Sequence, residues 1–327
     1  MNEHEFDVVT LGETMLRLTP EAFLRLEQAD SLQIHVGGSE SNTAVGLARL
    51  GKRVAWVSRL TDNFLGHRIE GAIAAQGVDT RYVVRTNGDR VGLYFLEAGS
   101  PPRTSHVIYD RANSAYSRFT ADDLPAELFV VGRSKWLHVT GISLWLTDTS
   151  RAMIDRAVGL ARSAGWQISF DVNHRTLLCS AYDARGYCED IFRSADLAFL
   201  PRRDAVHLWS MEQQASDQVI MEQLLTLRDG KPTVMTLGDR GAMAADASRT
   251  FVQGVERVEP IGRLGGGDAF SAGFLSSWLD GLDLQRSLSW AIATARLKYS
   301  IPGDLPIIHL AEVERLVAGA ADQSLVR

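Results

Sequence analysis

Gly265-Gly266-Gly267-Asp268-Ala269-Phe270 is the segment where residue type and spacing point most directly to chemistry. An amphipathic run from Ser271 to Leu279 follows, so the glycines stand at the mouth of a helix. Without side chains in the way, backbone N–H groups there can approach an anion where the helix dipole favours negative charge. An aspartate held beside that anion could accept a proton from a hydroxyl while the amides stabilise a transferring phosphoryl group. An ordinary aspartate, with a pKa near ~3.9, is already ionised at neutral pH and needs no large shift for this. The same residues could also merely start a helix, since an acid in the first turn suits the dipole. The segment is not a Walker A loop, because no Lys-Ser/Thr follows.

Gly37-Gly38-Ser39-Glu40-Ser41-Asn42-Thr43-Ala44 is a second glycine-rich entry to a helix. Paired glycines let backbone groups lie against a small polar ligand, and Asn42 offers both a donor and an acceptor. A capped helix start, with Ser41 as N-cap and Gly51 as the stop, accounts for the same residues. Cys179 and Cys188, the only cysteines, have neither CxxC nor metal-finger spacing and read as buried or half-buried thiols.

These segments need elements to position them. Short apolar runs read as strands at Phe6–Leu11, Arg53–Ser58, Trp136–Val139, Trp166–Phe170, Leu197–Leu200 and Thr233–Leu237. Helical patterns separate them, including Leu65–Gly77, Ser150–Ala164 and Gln214–Leu227. That alternation predicts parallel βαβ units and an α/β sheet covered on both faces. One region departs from the rhythm. Val91–Leu96 and Thr104–Tyr109, joined by Gly99-Ser-Pro-Pro102, read as a hairpin that could join residues near Met15 to Val36 in a small separate sheet. Such a sheet could serve as a lid over a small-molecule site or as a dimer contact.

The 327 residues are 45% hydrophobic and 23% charged, a globular composition that fits one large α/β unit or two domains. The formal charge of -6, with no basic run, argues against a nucleic-acid groove. The acidic start lacks a secretory signal, and the apolar stretch near Trp136 to Leu146 is interrupted by charge, so a cytoplasmic location with no membrane contact is expected.

Taken together and in this order, the Gly37-Gly38…Asn42 segment and the GGGD loop resemble the two signatures of the ribokinase-like (PfkB) carbohydrate kinases. Thr236-Leu-Gly-Asp-Arg-Gly241 is similar to that family's strand-turn element near the nucleotide. The resemblance spans nearly the whole chain. It implies a mostly parallel sheet flanked by helices over residues 1–327, with a small β-sheet lid from approximately 13–36 and 88–112. It also implies ATP and Mg²⁺ as partners, with Thr236, Gly238, Gly241, Gly265 and Gly267 at the nucleotide. Asp268 would be the base, with Gly265, Gly266 and Gly267 around the phosphoryl group.

Within the family the chain resembles 2-keto-3-deoxygluconate kinases. The resemblance rests on Gly12-Glu13-Thr-Met-Leu-Arg17, Gly92–Glu97, Tyr109-Asp110-Arg111, Asp171-Val-Asn-His-Arg175 and the tail Leu297–Asp304. Ribokinases and fructokinases place an aspartate, which binds sugar hydroxyls, where this chain has Arg17. The resemblance implies that Gly37, Gly38, Asn42, Tyr94, Tyr109, Arg111 and Arg175 line a sugar-acid site. Guanidinium groups and tyrosine hydroxyls suit a 2-keto carboxylate, since arginine pairs carboxylates bidentately.

Two elements depart from the family pattern. Gly262-Arg-Leu-Gly-Gly-Gly-Asp268 has Gly262 in place of the usual first acid and Gly266 in place of alanine. The magnesium-associated N-x-x-E element reads Arg202-Arg203-Asp204-Ala205, with Asp204 one residue out of place. The two arginines could themselves neutralise phosphate charge.

The reading is therefore ATP-dependent phosphorylation of the terminal primary hydroxyl of a sugar acid, with 2-keto-3-deoxygluconate first. Alternatives are a kinase of fructose, ribose or a nucleoside, and a catalytically weakened sensor that binds sugar acid and nucleotide. A dinucleotide oxidoreductase is excluded by the single glycine after the first strand. Resemblance also suggests a homodimer or higher homo-oligomer through the lid.

Overall fold

Val8 and Val9 are neighbours in the first strand, yet they are buried in different hydrophobic clusters. Leu137 and Trp136 divide the same way, as do Leu200 and Phe199. Successive strand residues point to opposite faces, so the division shows a sheet buried on both sides. The computed structural model describes residues 4–319 except 257 and 263. Met1 to Glu3 of the acidic start, and Arg263 of the glycine-rich loop, lie outside the described residues.

The large sheet has nine strands. They are β1 (Phe6–Leu11), β4 (Val54–Thr61), β5 (Val83–Thr86), β8 (Ser134–Thr140), β9 (Gln167–Asp171), β10 (Leu197–Pro201), β11 (Thr233–Thr236), β12 (Ala242–Ala245) and β13 (Thr250–Gln253). Their order is β13-β12-β11-β10-β9-β8-β1-β4-β5. The pairs from β5 to β11 are parallel, whereas β12 and β13 turn back as an antiparallel edge that the apolar runs did not reveal. Helices Asp148–Ser163 and Ala181–Ser194 cover one face; Ser39–Arg49, Gly266–Leu279 and Leu284–Tyr299 cover the other.

From β1 the chain winds outward through β4 and β5, then returns to β8 on the other side of β1. In open α/β sheets, ligands bind outside the carboxyl ends of the strands near such a reversal. The carboxyl ends here carry Thr140, Asp171, Pro201 and Thr236.

A second sheet has the order β3-β2-β6-β7, with β2 at Met15–Thr19, β3 at Gln33–Gly37, β6 at Leu93–Glu97 and β7 at His106–Asp110. β6 and β7 form the expected hairpin. The register sets His35, Arg17, Tyr94 and Tyr109 in one row across the four strands. Cys179 is half-buried and Cys188 buried, both as free thiols.

Candidate active site

Asp268 lies in the first turn of the helix Gly266–Leu279 and is 7% exposed. Gly265 caps that helix at φ 76°, in the left-handed region, and a Cβ there would stand 2.1 Å from the Asp304 carbonyl oxygen. Both facts require glycine. At Gly266 a Cβ would stand 2.4 Å from the Tyr299 ring, so that ring fills the space an alanine methyl would take. The departure at Gly266 is thus matched by its neighbour.

The helix Ser39–Arg49 starts one residue after Gly38, so Ser41 is inside the first turn and is not the N-cap. Its hydroxyl instead donates to the Gly38 carbonyl and receives the Thr14 hydroxyl. Gly51, at φ 85°, does end the helix. A Cβ on Gly46 would stand 2.7 Å from Ala272 Cβ, so the two glycine-bearing helices cross closely. The result is contact between their first turns. Ser39 Oγ donates to Asp268 Oδ1 at 2.6 Å, and Asn42 Nδ2 donates to Oδ2 at 2.7 Å. Asn173 Nδ2 donates to Ser39 Oγ at 2.9 Å behind them.

Burial pushes the Asp268 carboxyl above the usual aspartate range, with the Ser39 and Asn42 hydrogen bonds and the Arg175 charge opposing it. An ordinary aspartate pKa is therefore not what the structure holds. Asp171, at the end of β9, is pushed up to about 8 by burial and by the charges of Asp268 and Asp204. Ser271 Oγ donates to its Oδ2 at 3.2 Å.

Three adjoining cavities run through the site, and Asp268 borders two of them. The innermost, about 140 Å³, is lined by Gly37, Gly38, Asn42, Tyr94, Tyr109, Arg111, Arg175 and Asp268, together with Glu13, Ser39, Glu40, Gly265 and Asp304 among others. The next, about 240 Å³, shares Arg175, Gly265 and Asp268 with it and adds Asp171, Asn173, Arg203, Thr236, Gly266 and Gly267. The third, about 150 Å³, continues along Thr236, Gly238, Gly241, Gly266 and Gly267 to an apolar wall of Val255, Phe270, Ile292 and Ala295, with Arg296 and Tyr299. Asp268, the glycines beside it and every residue assigned to the nucleotide or the sugar acid border one of the three, whereas Arg17, Arg202, Asp204 and Gly262 border none of them. A larger cleft, about 480 Å³, adjoins at Arg203 and Thr236.

The arginines differ in what holds them. Arg111 is 10% exposed at its side chain and ion-paired with Glu13, its Nε donating to Glu13 Oε2 at 2.9 Å; Ser114 completes Glu13's partners. Arg111 also stands over the Tyr109 ring, 5.8 Å from its centroid. Arg17 is buried and donates from Nε to Asp304 Oδ2 at 2.7 Å. Arg175 makes no ion pair or side-chain hydrogen bond among the described residues, although it borders both inner cavities.

Arg202 borders the cleft of about 480 Å³ together with Thr236 and Gly238. Its guanidinium is held by Asp217 and by the Gln213 and Ala215 carbonyls. Arg203 borders the middle cavity, paired with Asp204. Asp204 is fully buried and accepts from the His174 backbone N–H at 2.8 Å, so it braces the loop after β9. Behind the glycine loop, buried Lys298 donates to the Ile301 and Gly303 carbonyls at 3.0 Å each. Ser39, Glu13, Asp171 and Asp304 were not singled out as site residues. Ser39 lies between Gly38 and Asn42, Asp171 begins one motif already noted and Asp304 ends another.

Residues 5–306 match the pfkB family carbohydrate kinase family. The chain belongs to that family. It is similar to a 2-dehydro-3-deoxygalactonokinase of Haloferax volcanii, 35% identical over 313 residues that cover 96% of this chain and 97% of the relative. It is also similar to a 2-dehydro-3-deoxygluconokinase of Bacillus subtilis, 30% identical with 92% of each chain covered. Among solved structures, a 2-dehydro-3-deoxygluconokinase of Thermotoga maritima superposes with a TM-score of 0.91 at 29% identity, over 98% of this chain and all of that one. This kinase is therefore a phosphotransferase of the ribokinase-like fold. No helix among the described residues is long and apolar enough to cross a membrane.

Proposed function

We propose that this kinase transfers the γ-phosphoryl group of ATP to the terminal primary hydroxyl of a 2-keto-3-deoxy sugar acid. The observation that carries the acid is Arg175. Its guanidinium makes no ion pair or side-chain hydrogen bond among the described residues and borders the cavity that contains Asp268. Arg111, already paired with Glu13, contributes shape and hydrogen bonding more than net charge. The names of the curated relatives point to the same substrate class.

In this reading the hydroxyl donates its proton to Asp268, whose carboxylate Ser39 and Asn42 hold in place. The oxygen attacks phosphorus in line. The N–H groups of the first helical turn, which have no intrahelical partner, stabilise the charge that develops on the phosphoryl oxygens. The apolar slot of Val255, Phe270, Ile292 and Ala295 suits an adenine ring. A magnesium ion riding on nucleotide phosphates needs only one or two protein carboxylates. Asp171, bordering the middle cavity, is the side chain to supply one. When bound, the ion would neutralise phosphate charge. The four-stranded sheet presents Met15, Gly37, Tyr94, Val107 and Tyr109 to the inner cavity as a lid would.

The test is magnesium-dependent ADP release with 2-keto-3-deoxygluconate, 2-keto-3-deoxygalactonate, gluconate, fructose, ribose and adenosine. Turnover should be confined to the keto-deoxy acids. Turnover with a neutral sugar alone would refute the role given to Arg175.

A further inference from the structure

Lys298, in the last turn of the helix Leu284–Tyr299, is a basic side chain with 0% exposure. A buried ammonium is costly unless its hydrogens and its charge are both met. Its Nζ donates to the Ile301 and Gly303 carbonyls at 3.0 Å each, in the turn that follows the helix. That end of a helix favours a cation. Burial pulls the lysine below its usual pKa and Arg17 adds to this, while the charges of Asp304 and Asp268 favour the protonated form.

The ammonium lies directly behind the glycine loop. A Cβ on Gly265 would stand 3.3 Å from Lys298 Cε and 2.1 Å from the Asp304 carbonyl oxygen. A Cβ on Gly262 would stand 3.4 Å from the Ile301 carbonyl oxygen and 3.8 Å from that of Gly303. Those are the two oxygens that hold Lys298. An acid at 262 would set negative charge beside them and call for a cation. This chain has glycine at 262 and carries the cation on its own side chain. Just before the loop, the Ile261 N–H donates to the Tyr299 carbonyl at 2.8 Å. Residues 298–304 therefore back the loop at both ends, and Lys298 ties them together. Lys298 is not among the residues lining the three cavities, so it acts through the loop.

We infer that Lys298 is a positioning residue for phosphoryl transfer. Its buried ammonium clamps the Ile301–Gly303 turn behind Gly265, which fixes the loop's N–H groups and lends that wall a positive charge. The inference rests on the phosphoryl role proposed above for the glycine loop. Preorganised charge of this kind stabilises a transition state without having to reorient. Its effect therefore belongs to the chemical step more than to binding of either substrate.

Three variants separate charge, hydrogen bonding and packing. Lys298→Met fills the space without charge or donors, Lys298→Gln keeps an uncharged donor, and Lys298→Ala opens a cavity. Each is compared with wild type by single-turnover phosphoryl transfer, by KM for ATP and for the sugar acid, and by thermal melting. Losing a donor that touches the reacting group costs about 10²–10³ in rate, so a charge one layer behind should cost about 10–100-fold. Both KM values should stay within about threefold. Lys298→Met exchanges a buried charge for two unpaired carbonyls, opposing effects on stability, so the rate loss should stand apart from the melting temperature. Ammonium or methylammonium chloride should return about tenfold of the rate to Lys298→Ala. Sodium chloride at equal ionic strength should not, and wild type should gain nothing from ammonium. Lys298→Met and Lys298→Gln rates within about threefold of wild type would overturn the inference. So would losses that track melting temperature, or a Lys298→Ala rate equally low in ammonium and in sodium. Failure of all three variants to fold would make Lys298 a residue of the fold and overturn it likewise. A wild type inactive on every sugar would sink the proposed reaction and this inference with it. An active wild type with unaffected variants would sink this inference alone.

Discussion

Asp268→Asn preserves the shape of the side chain and removes its capacity to take a proton. The site can absorb the change. Asn42 Nδ2 can still donate to the remaining carbonyl oxygen, and the Ser39 hydroxyl, which now donates to Oδ1, can rotate and accept from the new amide. The fold and the nucleotide slot should therefore persist, and the loss should reside in the chemical step. A positioned general base is worth about 10²–10⁴ in rate, or roughly 3–5 kcal/mol of transition-state stabilisation.

The pH profile gives a second, independent reading. Because burial raises Asp268, the acid limb of kcat/KM in the wild type should lie above the ~3.9 of an unperturbed aspartate. The Ser39 hydrogen bond favours the charged form, so Ser39→Ala should raise the pKa further and move that limb upward. A hydrogen bond to a charged group contributes about 1.5–3 kcal/mol, equivalent to roughly one to two pH units. Steady-state rates from pH 5 to 9, with ATP saturating, measure both effects. Asp268→Asn retaining more than a tenth of wild-type kcat, or an acid limb that moves down in Ser39→Ala, would refute the reasoning.

Glu40 is buried against Thr140 and Ser143, and burial pushes its carboxyl up from 4.5 to about 7. The folded state binds that proton more tightly than the unfolded one, so its ionisation lowers stability as pH rises from about 4.5 to 7, by about 3 kcal/mol at the upper end. Glu40→Gln should melt higher than wild type above pH 7, with the gap closing below about pH 5; a gap independent of pH would count against it. Gly266→Ala places a methyl 2.4 Å from the Tyr299 ring and should cost about 1–3 kcal/mol of stability and weaken nucleotide binding. Tyr299→Leu in the same chain should restore part of both, and strictly additive losses in melts and in KM for ATP would show that the two do not share the space.

The sequence by itself determined the layers of this protein. Alternation of short apolar runs with helical patterns required a parallel sheet covered on both faces, and Val8 and Val9 are divided between the two buried clusters as that alternation demands. Glycines at two helix starts, followed by Asn42 and Asp268, were legible because backbone access to an anion needs glycine at short range. The antiparallel edge β12–β13 was not, since two four-residue strands carry too little period to separate from a loop.

Tertiary structure decided which charges remain available. Arg17, Arg111, Arg175 and Arg202 look alike as residue types, but their ion-pair partners lie 287 residues away at Asp304, 98 at Glu13, nowhere among the described residues, and 15 at Asp217. Local pattern does not encode separations of that kind, because they depend on which strands and helices end at the same edge of the sheet. The pKa of Asp268 belongs to the same class. Its residue type sets the ordinary value; the helix carrying Ser39 and Asn42, packed over it 226 to 229 residues earlier in the chain, sets the burial and the hydrogen bonds that move it.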